Sequence, residues 1–204
     1  MHALRFAFPL LLALLSSNLL AQDQAPKEDK YYPLKKGSTW EYVTAGKSFR
    51  IELVEFEMVG DTLCAKLESI LNGNTVASEH VAVKDDGVYR YKYNNIEINP
   101  PLKFLVLPAA PDKTWQVDSS AQTPGGEQLN LKGTFTTKAE PVKVPAGDYQ
   151  TISSSSSSFE VMGQKLEMNY FFAPDVGMVK QIVKVGNSTV VVELQKYTPG
   201  EQQQ

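Results

Sequence analysis

From Tyr31 onward the apolar positions recur at every second residue rather than every third or fourth. Leu129, Leu131, Gly133, Phe135 and Thr137 alternate with Asn130, Lys132, Thr134, Thr136 and Lys138. Leu166, Met168, Tyr170 and Phe172 alternate with Lys165, Glu167 and Asn169, and Leu63, Ala65 and Leu67 with Cys64, Lys66 and Glu68. Successive side chains of a strand point to opposite faces, so each run predicts a half-buried strand with one wet face. Turn sequences part the runs: Val59-Gly-Asp-Thr62, Asn72-Gly-Asn74, Asp85-Asp-Gly87, Pro145-Ala-Gly-Asp148 and Gly186-Asn-Ser188. The spacing predicts roughly a dozen strands and no helix beyond the N-terminal segment. This is an all-β pattern, an antiparallel meander that closes into a barrel, a half-barrel or a sandwich.

Three stretches depart from simple alternation. Phe49, Ile51 and Leu53 share a face, and the apolar phase then passes to Val54, Phe56 and Met58. That one-residue slip predicts a β-bulge near Leu53-Val54, which bends the sheet. Ser153–Ser158 is a run of serines, yet Thr151-Ile152 and Phe159-Glu-Val-Met162 flank it with strand pattern. It therefore reads as a strand of small residues rather than a linker. Pro101–Pro108 is apolar on both phases except at Lys103, as in a strand buried on both faces or an apolar lip at a cavity mouth.

A faint echo divides the chain. Pro33 to Trp40 and Pro108 to Trp115 both run Pro, six residues, Trp, with Thr before the Trp. Strands and a Gly-Asp turn follow each (Gly60-Asp61, Gly147-Asp148), then a Gly87-Val88 or Val176-Gly177 turn. Two related β-halves and chance similarity both account for it.

The N-terminal segment differs in kind. Arg5, the apolar run Phe6 to Leu15 and the small Ala21 before Gln22 form the pattern of a secretory signal, residues 1–21. Leu19-Leu20-Ala21 is like the end of a lipoprotein signal, but Gln22 stands where the lipidated Cys would be. The expected product is an exported, periplasmic or extracellular soluble protein with no transmembrane anchor after cleavage. Polar residues 22–30 read as a flexible leader, 31–197 as a single β domain and 198–204 as a disordered tail.

Composition narrows the function. Of 204 residues, 42% are hydrophobic and 21% charged, enough for a buried core. A net charge of -3 gives no footprint for nucleic acid, and one cysteine allows no internal disulfide.

Four motifs carry a resemblance: Tyr32-Pro-Leu-Lys-Lys-Gly-Ser-Thr-Trp-Glu-Tyr42, Pro108 to Trp115, Val144-Pro-Ala-Gly-Asp-Tyr149 and Phe172-Ala-Pro-Asp-Val-Gly-Met-Val-Lys180. In this order they resemble an uncharacterised group of exported bacterial β-rich proteins, over most of Tyr31 to Tyr197. The resemblance implies an envelope or secreted protein and assigns no reaction. Size and all-β pattern are also similar to the half-barrels of lipoprotein-carrier proteins, by analogy of fold alone.

The residues that could carry chemistry are few. After processing, His80 is the one histidine; its phase, shared with Ser78 and Lys84, points it outward as a solvated residue, and no Gly-x-Ser-x-Gly elbow exists. Cys64 shares the phase of Lys66 and Glu68, an exposed thiol that could pair between chains or couple to His80. Asp85-Asp86-Gly87 lacks the calcium-loop spacing and reads as a turn. Glu52, Glu55, Glu57 and Glu68 read as wet-face charges, and Asn187-Ser-Thr189 is a formal glycosylation acceptor on a turn.

Tyr89, Tyr91 and Tyr93 alternate with Arg90, Lys92 and Asn94, so three rings are expected on one face. Such a ladder either packs in the core or offers rings to a ligand. With Leu102, Phe104 and Val106 of the apolar run, it forms the candidate ligand-binding set. No catalytic residue, metal site or cofactor is expected. The function this supports is non-catalytic binding of a hydrophobic, lipid-like molecule. An envelope module meeting a protein partner at a sheet edge is the alternative, and a hydrolase using acidic residues the remotest.

Overall fold

A computed structural model describes residues 26–201, and the expected signal segment lies outside them. Twelve antiparallel strands run in order: β1 (Thr39–Thr44), β2 (Lys47–Val59), β3 (Thr62–Leu71), β4 (Asn74–Lys84), β5 (Gly87–Tyr93), β6 (Ile96–Val106), β7 (Thr114–Gln122), β8 (Gln128–Val144), β9 (Gly147–Val161), β10 (Gln164–Ala173), β11 (Gly177–Val185) and β12 (Ser188–Thr198). Each pairs with its neighbours in sequence, and β1 pairs with β12, so the meander closes into a barrel. The predicted turns join β2–β3, β3–β4, β4–β5, β8–β9 and β11–β12.

Inward phases carry the core: Tyr42, Leu53, Val81, Val88, Phe135, Phe172 and Leu194 are all buried. Outward phases carry ion pairs, among them Lys66 with Glu55 and Glu57, Lys180 with Glu193, and Lys184 with Glu167. A lipid-facing barrel reverses this arrangement, apolar outside and polar within.

The predicted bulge is present, since the β2–β3 register slips between Leu53 and Glu55. Ser153–Ser158 lie inside β9, where Ser153, Ser154 and Ser156 are buried. Their small side chains let β6 approach across the interior, and the Ser154 hydroxyl donates to the Phe104 carbonyl at 2.6 Å. The same side of the barrel is filled by Trp115, Phe135 and Phe159, whose rings pack in series at 5.5 Å. The β6–β7 ladder is reduced to two residue pairs, Ile98 with Ala121 and Asn99 with Ser120. Side chains satisfy β6 carbonyls there: Ser120 Oγ donates to Asn99 and the Trp115 indole to Lys103.

That thin seam lies between two sets of six strands. Trp40 opens β1 and Trp115 opens β7. The Gly-Asp turns close β2–β3 and β8–β9, and the Gly87 and Gly177 turns close β4–β5 and β10–β11. The echo in the sequence therefore falls at matching hairpins of the two halves.

The first and last of the described residues are tied to the barrel. The Lys30 carbonyl accepts the Asp175 amide, and Lys27 pairs with Asp85. Pro33 and Leu34 are buried, and the Gly200 amide donates to Ser38 Oγ at 2.9 Å.

Candidate functional site

Eight strands already make a barrel that side chains can fill; twelve enclose more. With the β7–β9 side packed, the surplus space collects against β1–β6 and β10–β12 as a cavity of about 380 Å³. Tyr32 and Pro33 stand at one end of it. Ser78 and the 47% exposed Tyr93 stand toward the other, beside the β3–β4 and β5–β6 hairpins.

The wall is aromatic and apolar over much of its extent, including Trp40, Phe49, Ile51, Leu67, Phe104 and Phe172. Main-chain hydrogen bonds fix two of its rings. The Trp40 indole donates to the Val176 carbonyl at 2.6 Å and the Tyr42 hydroxyl to Met178 at 2.7 Å. Phe104, Tyr170 and Phe172 pack together with centroids 6.0 to 6.2 Å apart, and Tyr32 closes edge-on against Phe104 at 5.6 Å.

Two charges stand in this wall. Arg90 of β5 donates through Nε to Glu79 Oε2 of β4 at 2.6 Å, and the two side chains are only 20% and 18% exposed. The guanidinium also lies 5.3 Å from the Phe104 ring centroid and 5.9 Å from that of Tyr93, within cation–π range. Burial works against its charge, but Glu79 facing it holds the pKa above the usual arginine range. Burial likewise raises the phenol pKa values of Tyr32, Tyr42 and Tyr170, and Glu79 adds to each.

The expected ladder of three rings is split. In the β4–β5 register Val81 faces Arg90 and His80 faces Lys92, which leaves Tyr91 as an extra residue. This bulge moves Tyr93 into the cavity wall, while Tyr89 and Tyr91 stay on the outer wall. A second bulge, with Val88 facing Leu105 and Tyr89 facing Lys103, leaves Phe104 extra. Leu102, Phe104, Leu105 and Leu107 can then all enter the core, and Val106 is half-buried opposite Gly87. The run is thus apolar on both phases because it is re-phased inward, not because it is covered on both faces. Of the six candidate residues, Tyr93 and Phe104 line the cavity; Leu102 lies in the core, and Tyr89, Tyr91 and Val106 lie elsewhere.

Arg90 and Glu79 were not among the expected residues, although the sequence carries a signal for them. Glu79 shares the phase of Val81 and Val83, and Arg90 that of Val88. A charge on the apolar phase of a strand must face inward with a partner.

On the outer wall, two further expectations change. His80 does point outward, but it is 2% exposed rather than solvated, and its Nε2 lies 2.8 Å from Glu57 Oε2. Hydrogen bonds from His80 and then Lys66 hold the Glu57 carboxyl down at about 2. Cys64 is fully buried beside Val59, Ala82 and Tyr91, and burial pushes its thiol up to about 11. Long neighbours cover this patch: the Lys84 ammonium lies over the rings of Tyr89 and Tyr91. Asp86 takes bonds from Tyr89 and Lys103 in its turn, and Glu55, Glu57 and Glu68 gather around Lys66 outside the barrel.

No protein-family model matches the chain, and no curated protein sequence matches it. Two crystal structures share its fold. A "putative lipoprotein" from Parabacteroides distasonis superposes with a TM-score of 0.57 at 12% identity, covering 84% of this chain and all of that one. A "putative exported protein with YmcC-like fold" from Bacteroides fragilis gives a TM-score of 0.53 at 12% identity, covering 81% of this chain and 97% of that one.

Proposed function

We propose that this chain is an exported, non-catalytic binding protein whose barrel lumen receives a hydrophobic, lipid-like molecule. The observation that carries the reading is the aromatic-lined cavity of about 380 Å³, within the size range of small-molecule sites. Rings fixed by main-chain hydrogen bonds give a preformed apolar surface, and the charge pair supplies a polar end that orients a guest. Among the described residues the cavity wall holds one carboxylate, Glu79, already engaged by Arg90, whereas glycoside hydrolysis calls for two carboxyls flanking one bond.

Export is supported by the signal pattern over residues 1–21 and by the descriptions of the two structural neighbours as lipoprotein and exported protein. The four-motif resemblance to exported bacterial β-rich proteins points the same way. A partner meeting a sheet edge is the alternative: pairing of β1 with β12 leaves neither of these strands as a free edge, and the shortened β6–β7 ladder is where such a partner would find unpaired strand.

The test is binding of the neutral dye N-phenyl-1-naphthylamine by the purified protein, with mass spectrometry of an organic extract for co-purified lipid. Dye fluorescence is expected to rise saturably, and Ala77→Trp, which fills the lumen from β4, is expected to abolish the rise. Equal dye binding by the filled variant would overturn the reading.

A further inference from the structure

An ion pair in an aromatic lumen needs a reason. Desolvating two charges costs about as much as their attraction returns, and well-packed apolar residues serve stability as well or better. Arg90 and Glu79 are also the two charged residues in the cavity wall among the described residues.

The two partners are not equally fixed. Arg90 is held by the carboxylate and by two rings, Phe104 and Tyr93. Glu79 is held through its side chain by Arg90. Of the five N–H donors of a guanidinium, the bond to Glu79 uses the one on Nε. Tyr170 of β10 faces Gln181 of β11 and both line the cavity, which adds donors to the same wall. The corner is therefore rich in donors and holds a single anion, whose side chain is bonded to Arg90.

We propose that the lumen, which on the reading above receives a hydrophobic guest, selects a carboxylate amphiphile whose head binds the Arg90 guanidinium in exchange for Glu79. Glu79 then acts as a built-in stand-in for the ligand head, keeping Arg90 paired while the lumen is empty. A carboxylate matches the planar fork with two parallel hydrogen bonds, which a neutral ester or alcohol cannot do. The tail would run along Ile51, Leu67, Met168 and Val192 of the same wall. A guest with a cationic head would need Glu79 as its partner and would leave Arg90 unpaired between two rings.

The experiment compares three probes with one tail: dodecanoate, methyl dodecanoate and dodecyltrimethylammonium. Each is titrated below its micellar concentration at pH 8, read by the change in tryptophan fluorescence in a Trp115→Phe background, where Trp40, which lines the cavity, is the remaining indole. Dodecanoate is expected to bind about tenfold tighter than its methyl ester, the scale of one charge-assisted hydrogen bond. Glu79→Gln frees the guanidinium and is expected to tighten dodecanoate while leaving the ester unchanged. The double variant Arg90→Gln/Glu79→Gln, which keeps shape and strands no charge, is expected to bind acid and ester alike. Equal affinity of the native protein for acid and ester, preference for the cation, or weaker dodecanoate binding by Glu79→Gln would each overturn the proposal and leave the hydrophobic lumen standing. Binding of none of the three by natively folded protein would remove both.

Discussion

Leu53 of β2 and Thr137 of β8 hold the segments that lead into the two halves of the barrel by the same pair of hydrogen bonds. The Leu53 carbonyl accepts the Gly37 amide while its own amide donates to Ser38. The Thr137 carbonyl accepts the Asp112 amide while its own amide donates to Lys113. Gly37 and Asp112 both take positive φ, 81° and 61°, at corresponding places three residues before Trp40 and Trp115.

The correspondence makes a prediction about backbone cost. A left-handed conformation is unfavourable for residues with a Cβ, less so for Asp than for Ala. Gly37→Ala is expected to lower stability by about 1 kcal/mol, although no atom blocks the added carbon. Asp112→Gly is expected to change it by less than about 0.5 kcal/mol, because relief of strain offsets the entropy added to the unfolded chain. Urea midpoints of the two variants check both.

The polyserine strand contains its own contrast. Ser154 Oγ caps the Phe104 carbonyl, whereas the buried Ser156 Oγ has no hydrogen-bond partner. Ser154→Ala should cost about 1–3 kcal/mol by stranding that carbonyl, and Ser156→Ala should be neutral or stabilising. Neighbouring substitutions of identical chemistry would then differ in sign or size under thermal unfolding.

Acid should weaken the barrel through Glu57. Its carboxyl titrates near 4.5 when unfolded and at about 2 when folded, so the folded form favours the ionised state. The stabilisation is present in full above about pH 4.5 and disappears as pH falls toward 2. Glu57→Gln is expected to flatten the slope of urea midpoint against pH across that window. Because Glu57 is partly exposed, raised salt should reduce the effect.

Cys64 should behave as a protected thiol. With the group fully buried and its pKa near 11, an aromatic disulfide reagent at pH 8 should react slowly with native protein and within seconds in denaturant. Rapid labelling of the native state would contradict the covered outer patch.

Breaking the Arg90–Glu79 pair should also show in stability. Either single substitution to Gln is expected to cost about 2–4 kcal/mol by leaving a charge without its partner, and the double variant less than the sum. A thermodynamic cycle from urea unfolding measures the coupling.

Alternation and turn chemistry made the strands, the hairpins and the Leu53-Val54 bulge legible, because each depends on local geometry. What escaped were the bulges at Tyr91 and Phe104. They reverse which rings reach the lumen, and they arise where two neighbouring strands must match register, a condition no single strand displays. The burial of Cys64 and His80 was hidden for a similar reason: Tyr91 of β5 packs beside Cys64 of β3 under the Lys84 ammonium, and His80 of β4 meets Glu57 of β2. Glu79 and Arg90 were readable as charges out of phase with their surroundings, but their meeting depended on the pairing of β4 with β5.

The β1–β12 ladder has a kinetic consequence. Thr39 faces Thr198, so the contact that seals the ring joins residues near opposite ends of the chain. Every other ladder joins consecutive strands and can zip as a local hairpin, while this one must wait for the whole meander. Until β12 arrives, a growing chain carries two open strand edges, the stage at which it is most exposed to self-association.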